Sequence, residues 1–211
     1  ETKKGSSPYS YFKINEESAY SNQEGEKMKD TRKRLTLRGS IDVTVNAGFT
    51  VNGSPILEYA NVLDLKKAWK VEGYAVWPVD FRGGVDAFKG QAALESFLAT
   101  DRNIVDTAYV EIVNNAQDNR QFAWGNTLIA LDGASKSQTT ATQSVEAEHY
   151  WVDPDHLIQD ELNIYVSATS GSDYEGEIKK INYIVYLREV EITPAESIVQ
   201  NIKGKSQDLS T

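Results

Sequence analysis

The sequence predicts an all-β protein: an antiparallel β-sandwich or jelly roll of six to eight strands, with an extended N-terminal arm and a short C-terminal helix. Three observations predict it. Several runs alternate apolar and polar residues with a period of two, turn-forming residues and polar loops separate those runs, and strand–helix–strand alternation is missing. The expected organisation is an arm over 1–31, the sandwich over 32–192, and a helix with its tail over 193–211.

Residues 1–30 are rich in Ser, Glu, Lys, Asn and Gly, without strand or helix periodicity. Such a stretch cannot offset its own ordering entropy, yet Tyr9, Tyr11, Phe12 and Tyr20 are more than a linker needs, so the arm is expected to dock on something. From Leu35 the pattern changes. Leu35, Leu37, Ile41, Val43 and Val45 share one parity with Gly39, against Thr36, Arg38, Ser40, Asp42, Thr44 and Asn46 on the other. A long strand with one buried and one wet face follows, and Gly39 is read as a bend or bulge.

Further strands are expected where Trp69, Val71, Gly73, Ala75 and Trp77 alternate with Lys70, Glu72, Tyr74 and Val76 up to Pro78, and where Ile104, Ala108, Val110 and Ile112 alternate with Asp106, Tyr109 and Glu111. Parity places Trp69 and Trp77 in the core and leaves Tyr74 for an outside contact. Strands are also expected over Phe122 to Leu131, over Leu162 to Ala168, and from Ile181 through Ile192, whereas Gly133 to Ser144 reads as a loop. Leu63 to Trp69 and Ala92 to Leu98 are each read as a turn or two of helix, because Ala, Leu, Lys and Glu dominate there. The strongest helix signal is Thr193-Pro194-Ala195-Glu196, a capping box with Pro at the first helical position. Ile198, Val199 and Ile202 follow at helical spacing, and Gly204 reads as a stop.

Composition narrows the function. The 211 residues suffice for one large β domain and contain no cysteine, which excludes disulfides, thiolate metal sites and a cysteine nucleophile. No stretch approaches the about 20 apolar residues that cross a bilayer as a helix, and the first twenty residues lack a signal-peptide hydrophobic region, so the chain is expected to be soluble. Glu1 in place of Met is read as a processed start or a start within a longer chain. The net charge of −9 divides unevenly: residues 1–38 carry nine Lys and Arg against six Asp and Glu, and the rest carries 13 against 25. A mildly basic arm therefore precedes an acidic body that repels polyphosphate.

Three groups of residues invite a chemical reading. Glu148 to His156 holds both histidines and three carboxylates, which makes Asp153, Asp155 and His156 the candidate ligands of a structural divalent cation. The spacing fits neither a helical zinc pair nor a calcium loop, and Asp153-Pro154-Asp155 is first of all a turn. No other cofactor is expected. The cations Lys27, Lys29, Arg32, Lys33, Arg34 and Arg38 are the candidates for contact with nucleic acid or an inner surface, against the plainer reading of a charged cluster that protects a sheet edge. Trp69, Trp77, Trp124, Trp151 and eleven tyrosines serve as core, as interface anchors or, exposed on a sandwich face, as sugar-stacking platforms. The local signatures of hydrolase, nucleotide and metalloprotease chemistry are missing, and dispersed carboxylates of glycosidase type remain the weakest reading; the chain is expected not to be an enzyme.

Arg32-Lys33-Arg34-Leu35-Thr36-Leu37-Arg38-Gly39-Ser40, then Asp118-Asn119-Arg120-Gln121-Phe122-Ala123-Trp124, then Val152-Asp153-Pro154-Asp155-His156-Leu157-Ile158 with Asp160-Glu161-Leu162, resemble the single-jelly-roll capsid proteins of small icosahedral viruses, in particular those of marine microbial virus type. The resemblance covers roughly residues 32–192. It implies a single jelly roll of eight strands, a virion location and a shell of many copies, with other virion proteins as neighbours and the arm directed at a packaged genome or an internal membrane. The arm departs from the pattern, since jelly rolls wrapped on naked nucleic acid commonly carry a far more basic one. The alternative is a lectin-like or carbohydrate-binding sandwich, on a virion spike or secreted.

Overall fold

A computed structural model describes residues 29–52, 54–58, 66–80, 88, 91–102, 116–131 and 143–205. Nine strands and one α-helix lie among them, with a 3-10 turn at Ser172–Tyr174: β1 (Lys29–Thr44), β2 (Thr50–Val51), β3 (Leu57–Glu58), β4 (Lys67–Pro78), β5 (Ala92–Ala99), β6 (Gln121–Leu131), β7 (Gln143–Val152), β8 (Glu161–Ser170), β9 (Ile178–Glu191) and α1 (Pro194–Lys205). The smaller sheet has the order β1-β9-β4; the larger has the order β2-β8-β5-β6-β7, with β3 also paired to β8. Every ladder is antiparallel.

The order is that of a jelly roll. β1 lies beside β9, β2 and β3 beside β8, and β5 beside β6, while β7 meets β4 through the side chain of Tyr150. First strand pairs with last and so on inward, the pattern of one long antiparallel hairpin rolled into two facing sheets. The inner faces close on a core that includes Ile41, Val43, Val76, Leu94, Leu98, Ile129, Ile164, Val166, Val185 and Leu187.

The expected β1 alternation is observed: Ile41, Val43 and Val45 are buried, while Thr36, Arg38 and Asp42 are exposed. The strand begins at Lys29, inside the segment read as arm. Gly39 does not bend it, since pairing runs unbroken from Arg34↔Arg188 to Thr44↔Ile178. Its glycine is required by space, because a Cβ there would stand 2.6 Å from the Tyr183 hydroxyl.

Four expectations are corrected. The Ala92 to Leu98 segment is strand β5 rather than helix, because β6 and β8 flank it on both sides; that pairing outweighs the helix propensity of Ala and Leu. Lys67 to Trp69, expected as the end of a helix, opens strand β4. Within β4 a bulge between Val71 and Gly73 reverses the parity. Tyr74, Val76 and Pro78 are therefore buried, Trp77 is only partly buried, and the outside contact assigned to Tyr74 becomes an internal one. The loop read over Gly133 to Ser144 gives way at Gln143 to β7. The strand expected over Ile104 to Ile112 lies outside the described residues.

The last strand and helix agree with expectation. Glu196 Oε2 accepts from the Thr193 backbone N–H at 2.8 Å, and Thr193 Oγ1 accepts from the Glu196 N–H at 3.2 Å, the reciprocal bonds of a capping box. Helix α1 runs through Gly204 to Lys205 rather than stopping at the glycine. The buried Ser197 hydroxyl is bonded to the Gln159 side chain, whereas Ile198, Val199 and Ile202 are exposed.

Candidate functional site

The cationic run divides according to strand geometry. Lys27 lies outside the described residues, and Lys29 is the first residue of β1. Arg32 sits in a bulge with φ 61°, its backbone N–H donating to Asp30 Oδ1 at 2.8 Å. Lys33 and Arg34 point to opposite faces and find acids there. Lys33 Nζ lies 3.4 Å from the buried Glu189, and Arg34 Nε lies 3.3 Å from Glu72, whose other oxygen is 3.4 Å from Arg188 Nε. Arg38 is exposed on the outer face of the small sheet, in one row with Ile184 and Ala75 and beside the row holding Tyr186. Two of the predicted cations are thus engaged within the sheet, while Arg32 and Arg38 stand outward. Arg188 and Glu72, which organise this face, were not singled out by sequence reasoning, because their meeting depends on the β1-β9-β4 order.

The Asp153 to His156 segment is a crossover turn. The Asp153 N–H donates to the Phe122 carbonyl at 2.7 Å, and Asp153 Oδ1 accepts from the Asp155 N–H at 2.9 Å, an Asx turn. The His156 ring is buried and stacked on Phe122 at 4.4 Å with 10° between planes, while Asp155 remains exposed. Ile158 then exchanges two backbone hydrogen bonds of 2.8 Å with Trp69, tying the crossover to the edge of β4. Among the described residues no three His, Asp or Glu side chains gather as a metal group. The structure places His156 in the core and Asp153 in the turn, so the predicted trio is not assembled on one cavity.

A third arrangement was only partly legible. Along the outer face of the large sheet, Tyr165 of β8, Phe97 of β5, Trp124 of β6 and Trp151 of β7 are successive cross-strand partners. The Phe97 and Tyr165 rings stack at 4.5 Å and 8°, and Phe49 meets Phe97 edge-on at 5.0 Å. The row is buried at β8 and β5 and emerges at β7, where Trp151 is 54% exposed and His149 stacks beside it at 5.6 Å and 10°. The adjacent row runs His149, Asn126, Glu95, Ser167. The sequence signal for both rows is the spacing Trp124/Asn126 and His149/Trp151, which becomes informative only once the register of β6 and β7 is fixed.

Several polar side chains of the interior are paired within the fold. Burial pushes the Tyr74 and Tyr165 phenols far above the ordinary tyrosine range; Tyr74 bonds Ser96, and Tyr165 donates to the Asp101 and Arg102 carbonyls at 3.0 and 2.9 Å. Arg120 grips the buried Asp118 through Nε at 2.9 Å and Nη2 at 2.7 Å, which raises the guanidinium pKa further.

Fold and surfaces together define an antiparallel β-sandwich of jelly-roll topology with a basic edge and an aromatic face. No protein-family model matches the chain, and no curated protein matches it. Among solved structures, the VP1 of trichodysplasia spinulosa-associated polyomavirus is similar with 9% identity, over 78% of this chain and 98% of that one, at a TM-score of 0.36. A chain of Desmodium yellow mottle tymovirus is similar with 6% identity, over 90% of this chain and 95% of that one, at a TM-score of 0.32.

Proposed function

We propose that the chain is a non-enzymatic, self-assembling subunit of a viral capsid, located in the virion and acting in many copies. The observation that carries this reading is the edge of β1. Among the described residues only β9 pairs with this sixteen-residue strand, and the strand carries five cations, Lys29, Arg32, Lys33, Arg34 and Arg38, of which Arg32 and Arg38 stand outward, on a chain of net charge −9. A long edge is a template for association unless something covers it, and an acidic body on a neighbouring copy is the complement of these cations. Exposed Ile198, Val199 and Ile202 on α1 supply a second apolar contact surface. In the same reading the arm turns to the shell contents, genome or internal membrane, and other virion proteins complete the particle.

The test is assembly. Negative-stain imaging and light scattering of the full chain at micromolar concentration are expected to find particles or large oligomers. Charge reversal of the outward cations, Arg32→Glu with Arg38→Glu, is expected to dissociate them while circular dichroism stays unchanged. A chain that remains monomeric in every buffer overturns the reading, as does assembly indifferent to both substitutions and to salt.

A further inference from the structure

We propose that the outer face of β7, β6 and β5 is a binding site for a neutral oligosaccharide, with one pyranose ring stacked on Trp151 and its hydroxyl groups held by Asn126 and Glu95. Trp151 is more than half exposed at the end of a row in which Tyr165 and Phe97 are buried and Trp124 is partly buried, and His149 lies nearly parallel beside it. The apolar C–H face of a sugar fits such a π surface, and the stacking of His149 on one side leaves the other face of the indole as the platform.

The adjacent row gives the platform its polar side. Asn126 is the cross-strand partner of His149, and Glu95 is the partner of Asn126; both are exposed, and neither side chain is engaged in a hydrogen bond among the described residues. Strands about 4.8 Å apart set an imidazole, an amide and a carboxylate in a line across the face, at the spacing of hydroxyl groups along a sugar ring and its neighbour. Charge selects the class of ligand. The two rows carry a carboxylate and no lysine or arginine, on a body with 25 acids against 13 Lys and Arg beyond residue 38, so phosphate, sialic acid and uronic acid are disfavoured against a neutral glycan. The site does not depend on whether the chain assembles through β1.

Tryptophan fluorescence and saturation-transfer NMR of the full chain, against neutral hexasaccharides of glucose, mannose, galactose and N-acetylglucosamine and against 3′-sialyllactose, test the proposal. At least one neutral oligosaccharide is expected to bind. Trp151→Ala is expected to weaken it tenfold or more, and Trp151→Phe is expected to retain part of the affinity. Asn126→Ala and Glu95→Gln are each expected to weaken it severalfold, with the circular dichroism spectrum preserved. Absence of binding across the neutral panel at millimolar concentration overturns the proposal, and so does preference for sialyllactose or neutral binding that survives Trp151→Ala. An oligomer that Trp151→Ala dissociates, without any sugar bound, identifies the face as a contact between copies and equally overturns it.

Discussion

The Tyr150 hydroxyl donates to the Val76 carbonyl and accepts from the Val76 N–H, both at 2.9 Å, so that a side chain from the large sheet occupies the ladder positions of a strand missing from the edge of the small one. The same hydroxyl lies 3.1 Å from Thr127 Oγ1, and the Tyr150 ring meets Tyr74 edge-on at 4.9 Å. Gly125 makes room for this ring, since any Cβ there would overlap it. Tyr150→Phe is expected to keep the packing and leave both backbone groups of Val76 unpaired, lowering stability by about 1–3 kcal/mol. Urea denaturation checks this, and a midpoint unchanged from wild type would show that the edge is satisfied in another way.

Gly39→Ala places a methyl 2.6 Å from the Tyr183 hydroxyl and 2.8 Å from its ring carbon. A cost of about 1–3 kcal/mol is expected from overpacking. Because the clash belongs to the pair, Gly39→Ala with Tyr183→Leu is expected to be less destabilised than the two single changes combined. A double-mutant cycle measured by thermal unfolding decides the matter.

Alkaline pH is expected to unfold the protein cooperatively. Burial raises the pKa of Tyr74, Tyr150, Tyr165 and Tyr183 above the unfolded value of 10.0. A raised folded pKa means that the neutral phenols contribute stability fully below pH 10 and that this stability is lost as pH rises beyond it. Absorbance at the tyrosinate band should therefore show these four phenols ionising only together with the loss of the β-sheet circular dichroism signal.

Acid is expected to loosen the start of β1 first. The Arg32 backbone N–H, and then the Arg188 guanidinium 3.4 Å away, hold the Asp30 carboxyl below its ordinary value of 3.8. A depressed folded pKa contributes stability above pH 3.8 that is lost as pH falls through the folded value. Amide exchange at Thr31 to Arg34 should accelerate in that window, and Asp30→Asn should remove the pH dependence while leaving β5 and β8 protected.

The sequence by itself determined the fold class and most of its pieces. Period-two alternation in β1 and β9 is a local property of side chains that must face a core on one side, and the Thr193 to Glu196 box closes within four residues, so both are legible without knowing what lies beside them; β8 alternates in sequence yet is buried on both faces, which only its neighbours decide. Sequence also delivered the cationic run and the aromatic inventory, but not their roles. Tertiary structure decided which residues meet. The bulge after Val71 reversed the face of Tyr74, the flanking of β5 by two strands overrode its helical composition, and Glu72 came to lie between Arg34 and Arg188. It also buried His156 on Phe122 and left Trp151 outside. Cross-strand neighbours distant in sequence are chosen by register, and register is a property of the assembled sheets rather than of any one strand.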